Sequence, residues 1–162
     1  MKRIGFGQVE PNHLSAQRNG KIYAQLPAFA DIKVLENGMF AKYDYENGCV
    51  NFTGDGEWML VYNEVKTYED RESYKDFAMR AENAYGGVMV PRLFKTDIGD
   101  IFTTNCLVAD VDFDSVSVGM KLAPNANGYL AETESEDGMI WKVVKVYTMP
   151  DGQPGVKVQR IK

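Results

Sequence analysis

Short turn sequences at even spacing constrain this chain more than any other feature. Asn37-Gly38 and Asn47-Gly48 lie ten residues apart, and Gly54-Asp55-Gly56 follows them. Asn-Gly and Asp-Gly supply the positive φ angles that tight hairpins require, and here they separate β-prone runs. These runs are residues 31–35, 39–45, 49–53 and 57–62. The pattern predicts an antiparallel meander.

The second half of the chain repeats the same alternation of short apolar runs and turns. Pro, Asn, Asp and Gly cluster at residues 124–128, 136–138 and 150–154. Short strands at a spacing of about 8–12 residues favour a barrel or a sandwich over a fold of alternating strands and helices. The predicted strands are residues 88–94, 100–107, 116–122, 129–133, 139–149 and 155–161.

One segment has the periodicity of a helix. Thr67 is a candidate N-cap, and Gly86-Gly87 follows the last periodic residue, as glycine commonly does after a helix. The opposite face is charged, so a helix over about residues 68–85 is predicted to lie on the surface of a sheet. The apolar face consists of Tyr74, Phe77, Ala78, Ala81, Ala84 and Tyr85.

The expected fold is therefore mainly β, with antiparallel, barrel-like strands and one surface α-helix. Gly, Pro and Asn break up residues 1–20, which we interpret as an extended N-terminal arm. Residues 21–95 form the predicted β-meander with its helix, and residues 96–162 a small β-barrel-like region. A chain of 162 residues with 44% hydrophobic residues is long enough to pack both parts as one globular unit without a metal or a disulfide.

Charge is distributed unevenly along the chain. The net charge is −5, and two basic ends flank a long acidic middle. Basic ends on an acidic body indicate termini that reach an acidic partner surface or fold back on their own domain. The acidic middle disfavours nucleic acid as a partner, because a broad DNA-binding face needs a basic stripe. The basic residues of the N-terminal arm are Lys2, Arg3, Arg18 and Lys21.

Few residues are suited to catalysis. The single histidine, His13, lies in the predicted arm, where a general base would lack support. Cys49 and Cys106 fit no metal or redox spacing and are expected to be reduced thiols. We therefore predict no enzyme activity, no catalytic residue, no metal and no cofactor. The chain also lacks a signal-peptide stretch or a membrane-spanning apolar run, so we expect synthesis in the cytoplasm and no membrane partner.

Asp110, Asp112 and Asp114 are the most metal-like group. Alternate aspartates point to one side of a strand, where calcium could relieve their mutual repulsion. The calcium loop of an EF-hand is excluded, because Ser115 and Lys121 stand where it needs Gly and Glu. A half-buried edge with a solvated acidic face is the preferred explanation, any bound ion would be structural, and whether the aspartates hold one stays open.

Two alternative functions depend on aromatic residues. An oligonucleotide-binding barrel would stack bases on aromatic side chains, for which the C-terminal half offers candidates. A carbohydrate-binding β-domain would stack sugars on Trp58 and Trp141. The candidates for base stacking are Phe102, Tyr129, Trp141 and Tyr147.

The C-terminal half contains four strand-and-turn stretches: residues 90–105 (VPRLFKTDIGDIFTTN), 118–122 (VGMKL), 128–130 (GYL) and 141–159 (WKVVKVYTMPDGQPGVKVQ). Through these patterns, about residues 88–162 resemble small structural proteins of tailed-bacteriophage heads. Those proteins are β-rich auxiliary proteins that sit on the capsid lattice.

The resemblance implies a non-enzymatic structural virion protein that decorates or stabilises a capsid shell. Its partner would be the major capsid protein, it would form a homo-oligomer, and it would be made in the host cytoplasm and end in the virion. Charge and turn composition suggest which residues make contact: the arm residues Lys2, Arg3, Arg18 and Lys21, and a stiff loop between two prolines. The loop residues are Met149, Pro150, Asp151, Gln153 and Pro154.

Overall fold

A computed structural model describes residues 1–24, 26–65, 74–109 and 111–162. The protein is mainly β, with 35% of its residues in strands, which confirms the predicted fold class. The elements are β1 (Val9–His13), α1 (Ser15–Asn19), β2 (Ile22–Ala24), β3 (Val34–Leu35), β4 (Phe40–Asp44), β5 (Cys49–Asn51), β6 (Trp58–Val61), β7 (Met79–Arg80), β8 (Arg92–Phe94), β9 (Ile101–Thr104), β10 (Lys121–Pro124), β11 (Leu130–Glu132), β12 (Trp141–Thr148) and β13 (Pro154–Arg160).

The strands of the described residues form three antiparallel sheets. A six-stranded sheet has the order β1-β9-β13-β12-β10-β11, and a five-stranded sheet has the order β2-β8-β6-β4-β5. The third sheet is the pair β3 and β7. The first strand therefore lies at the edge of a sheet whose other strands all lie between residues 101 and 160.

The five-stranded sheet is buried on both faces, because successive strand residues point to opposite sides. On one face, Phe40, Leu60 and Phe94 join a core cluster with residues of the six-stranded sheet. On the other face, Ala41 and Met59 join a second cluster with residues around β3 and β7. The aromatic centre of the first cluster is a T-shaped contact between Phe102 and Trp141, with ring centroids 4.9 Å apart. The shared first core packs the two predicted β regions together.

Of the three turns predicted in residues 31–62, only one connects two strands that pair with each other. Asn47-Gly48 connects β4 and β5, which pair as a hairpin. Asn37-Gly38 does not close a hairpin, because β3 pairs with β7 instead of β4. The Gly54-Asp55-Gly56 turn carries the chain past β4, which lies between β5 and β6. The meander thus contains one two-strand hairpin, and its other connections cross between strands or sheets.

The predicted helix is wrong over the residues that the structure describes. Residues 66–73 lie outside the described part, and from Tyr74 onward the chain forms short 3-10 turns and the strand β7. The Ala81 N–H donates to Lys33 O, so the backbone pairs across the chain instead of along a helix. Tyr85 is fully exposed. Tertiary pairing has overridden the helical pattern.

Of the described helices, none has the length and apolar character needed to cross a membrane.

Residues 1–20 do not form the predicted extended arm. β1 pairs with β9, and α1 follows it directly. Leu14 and Ala16 are buried in the first core cluster. Local composition was misleading here because it carries no information about partners that are distant in the sequence. Val9, for example, pairs with Thr104.

Candidate functional site: a ridge and a basic hairpin

The N-terminal segment, residues 1–20, lies against the 149–154 loop that connects β12 and β13. The Ile4 N–H donates to Gln153 Oε1 at 2.7 Å, and Gln8 Nε2 donates to Asp151 Oδ2 at 3.0 Å. The start of the N-terminal segment and the loop are therefore neighbours, whereas Arg18 contacts His13 and Lys21 contacts Asp97. We refer to residues 1–8 with the 149–154 loop as the ridge.

Backbone and side-chain hydrogen bonds within the loop hold it closed. Met149 N donates to Gln153 O at 2.8 Å, and Gln153 Nε2 donates to Asp151 Oδ2 at 2.7 Å. Burial opposes the charge of Asp151, but hydrogen bonds from Gln8 and Gln153 outweigh it and lower the pKa of this carboxyl. Met149 and Gln153 are buried, so they support the loop from within. Pro150 and Asp151 are the exposed residues of the predicted loop interface.

The four basic residues of the N-terminal segment have different environments. Arg3 is mostly buried and pairs with Glu36, and Lys21 Nζ lies 2.8 Å from Asp97 Oδ2. Arg18 Nη2 lies 3.1 Å from His13 Nε2. Lys2 is exposed to solvent. Carboxylates of the protein itself thus neutralise Arg3 and Lys21, which the sequence suggested as contacts to a partner. Lys2 and Arg18 remain exposed.

Glu36 is the anchor beneath the ridge. Its carboxylate is 5% exposed and accepts from four groups. Arg3 donates with Nη1 at 2.6 Å and Nη2 at 3.2 Å. The Gly7 N–H donates at 2.6 Å, and the Tyr129 hydroxyl at 2.7 Å. Burial would raise the pKa of this carboxyl, but the bonds from Arg3 and Tyr129 outweigh burial and hold the pKa below its usual value.

Cys106 lies next to this cluster and is fully buried. Burial and the nearby charge of Glu36 raise the pKa of its thiol far above the ordinary value. Burial likewise raises the pKa of Cys49. Both thiols are free, as the sequence predicts. Protonated, inaccessible thiols are packing groups and are poor nucleophiles.

Two of the three aspartates that the sequence suggested as calcium ligands bind the α-ammonium group of Met1. Asp110 lies outside the described residues. Asp112 Oδ1 and Asp114 Oδ2 each accept from the α-ammonium of Met1 at 2.7 Å. These hydrogen bonds lower the pKa of Asp112. Within the described ranges, no group of three or more His, Cys, Asp or Glu side chains is arranged to hold a metal ion.

Two of the five aromatic candidates for stacking are buried inside the protein. Phe102 and Trp141 are 0% exposed, so neither is accessible to a base or a sugar. The Tyr129 hydroxyl donates to Glu36. Trp58 is half-buried, with Lys42 Nζ 4.8 Å from its ring centroid. Tyr147 alone among the four base-stacking candidates lies on an outer sheet face.

Sequence reasoning missed the outer face of the β12–β13 hairpin, which we call the basic face: Lys142, Lys145, Tyr147 and Lys157. Strand pairing sets Lys145 directly opposite Lys157. Tyr147 lies between their ammonium groups, which are 5.6 and 5.9 Å from its ring centroid. The alternation of this segment was visible in the sequence, but the register depends on a bulge between Val143 and Lys145.

An open cavity of about 560 Å³ lies beside the ridge. Glu10 and Asp151 both line it, together with Tyr62 and Met149. Burial raises the pKa of Glu10, and the negative charge of Asp151 adds to this effect. Asp151 is engaged by Gln8 and Gln153. Two polar residues of this cavity, Gln8 and Asp151, thus help to fix the ridge.

A scan against protein-family models found no match to this chain. Searches among curated proteins and among solved structures found none either.

Proposed function

We propose that this protein is a non-enzymatic structural protein of a tailed-bacteriophage particle that decorates or stabilises the capsid shell. Its partner is the major capsid protein, it acts as a homo-oligomer, and it is made in the host cytoplasm and carried in the virion. The resemblance of residues 88–162 to auxiliary head proteins supports this proposal. That segment contributes β8 to β13, including most of the six-stranded sheet.

The observation that carries the proposal is the ridge. Gln153 and Asp151 hold residues 4 and 8 to the loop, and Glu36 holds Arg3 and Gly7 from below. A contact surface that is already ordered loses little conformational entropy when it binds. A protein that binds only the assembled shell stabilises that shell by mass action. A fixed, exposed ridge is suited to this role.

The test is cosedimentation of the purified protein with assembled shells from which it is absent. We expect the protein to pellet with the shells. Deleting residues 1–18 is a poor probe, because it removes the buried Leu14 and Ala16. The better probe is the double variant Lys2→Glu/Pro150→Ser, which changes two exposed residues of the ridge. Tyr85→Ser, at a fully exposed residue outside the ridge, is the control.

The proposal predicts weaker pelleting for the ridge variant and unchanged pelleting for Tyr85→Ser. Wild-type protein that stays in the supernatant in the presence of shells would overturn the proposal. Salt-sensitive binding to single-stranded DNA without binding to shells would instead favour the nucleic-acid alternative.

A further inference from the structure

The β12–β13 hairpin extends beyond β10, the strand that pairs with the other edge of β12. β10 pairs with β12 only at Lys142 and Trp141, and Met120 and Gly119 continue the contact to Val143. Beyond Val143, no strand within the described ranges pairs with the outer edge of β12. We call residues 144–148 the free edge. Their backbone N–H and C=O groups on this side are available to a partner strand.

The free edge lacks full protection against pairing. Natural proteins protect strand edges with bulges, charges and prolines. Here the bulge near Val144 and the side chain of Lys145 provide some protection. Val146, however, is 42% exposed, and no proline interrupts residues 144–148. An edge with both an exposed apolar residue and a lysine selects among partners by charge.

The charges beside this edge are unbalanced. Like charges directly opposite one another destabilise a strand pair, yet Lys145 faces Lys157. Tyr147 attenuates the repulsion through its ring, since both ammonium groups lie within 6 Å of its centroid. In the described part of the chain, no ion pair joins Lys142, Lys145 or Lys157 to a carboxylate. An acidic partner would satisfy these lysines.

We infer that the free edge and the basic face together bind an extended acidic segment of a partner protein as an added β-strand. The backbone of residues 144–148 would supply the main-chain hydrogen bonds, and Lys142, Lys145 and Lys157 would pair with acidic side chains at alternate positions. This inference rests on the proposed function, because it gives the chemistry of the segment that the capsid protein would present.

Two other occupants fit the face less well. A nucleic acid has no main-chain groups at strand spacing, so it would leave the backbone groups of residues 144–148 unpaired. A second copy pairing edge to edge would bring two equally basic hairpins together. The acidic strand is the occupant that satisfies both the backbone edge and the lysines.

The first arm of the experiment compares charge reversals in shell cosedimentation. Lys145→Glu changes the basic face, and Lys33→Glu makes the same change at an exposed lysine on another part of the protein. We expect Lys145→Glu to weaken shell binding about tenfold and Lys33→Glu to leave it unchanged. Equal binding by both variants, with wild-type protein still pelleting, would overturn this inference and leave the proposed function intact.

The second arm uses no shells, so it tests the inference independently. The probe is a synthetic peptide of alternating Glu and Val, and the control is a peptide of the same charge with proline at alternate positions. We expect the alternating peptide to slow amide hydrogen exchange within residues 144–148, and Lys145→Glu to abolish that effect. Exchange that is unchanged by the alternating peptide would overturn the inference. Binding of single-stranded DNA to the lysines without protection of these amides would also overturn it.

Discussion

Arg3 and Glu36 form a buried ion pair, with Nη1 2.6 Å from Oε2, that ties the start of the chain to the connection between β3 and β4. The pair is enclosed by Gly7 and Tyr129, which also donate to the carboxylate. Removing one member of such a pair leaves an uncompensated charge in the interior. The stability of the ridge therefore depends on Glu36.

Glu36→Gln is expected to lower the free energy of unfolding by about 3 kcal/mol, because the Arg3 guanidinium loses its counter-ion. Thermal and urea unfolding followed by circular dichroism measure this change. Glu46→Gln, at an exposed position, is the matched control and should be close to neutral. A loss as small as that of the control would show that the ion pair contributes little to stability.

The same pair predicts how stability changes with pH. The pKa of Glu36 is lowered on folding from an ordinary value of 4.5. Its contribution is therefore fully present above that value and is lost as the pH falls through the lower, folded-state pKa. The difference in melting temperature between wild type and Glu36→Gln should be largest at neutral pH and shrink toward about pH 3. A difference that stays constant over this range would contradict the ionised state of Glu36.

The contribution of Glu10 to stability should depend on pH in the opposite way to that of Glu36. Burial raises the pKa of its carboxyl, so folding disfavours the ionised form. The contribution of this group is present below the ordinary pKa and is lost as the pH rises through the folded-state value. Glu10→Gln should therefore raise the melting temperature slightly at neutral pH, whereas the exposed control Glu132→Gln should not. A lower melting temperature for Glu10→Gln would refute the argument.

Position 38 requires glycine for two reasons, a positive φ angle and the lack of space for a Cβ atom. Its φ is +98°, and a Cβ there would lie 2.5 Å from Cys106 Cβ. Gly138 has a φ of +81° with no atom within 4 Å of such a Cβ, so Gly138→Ala isolates the backbone effect. We expect losses of about 1 kcal/mol for Gly138→Ala and about 3 kcal/mol for Gly38→Ala in urea unfolding. Equal losses would mean that the contact with Cys106 relaxes at no cost.

The two thiols should be unreactive in the native protein. Cys49 is 6% exposed and Cys106 is 0% exposed, and both have raised pKa values. A thiol-exchange reagent should react with neither in native buffer and with both after unfolding in guanidinium chloride. Rapid reaction of one thiol in the folded protein would indicate local opening around it.

The strands were predictable because alternation and turn residues are local signals. Six β-prone runs after the predicted helix correspond to β8 through β13, although the observed strands are mostly shorter. The helix prediction failed because Ala81 and Ala84 pack into the second core cluster, and the Ala81 backbone pairs with Lys33 across the chain. Periodicity indicates which residues share a face and gives no information about a competing strand partner.

The contacts of the candidate site could be predicted only in part. Charge and turn composition directed attention to the N-terminal segment and the 149–154 loop, but neither signal predicted the contact between them. Ile4 and Gln153 are separated by 149 positions, and Arg3 and Glu36 by 33. The opposition of Lys145 and Lys157 depends on where the bulge falls, which the sequence pattern leaves undetermined.

The bond from Ile4 to Gln153 joins residues that are 149 positions apart in the sequence. Residues 4 to 10 are synthesised well before β9 and the β12–β13 loop, against which they lie. Closing so long a loop carries a large entropic cost, which slows the step that depends on it. The ridge is therefore among the last parts of the molecule to be completed, and nascent or incomplete chains cannot display it.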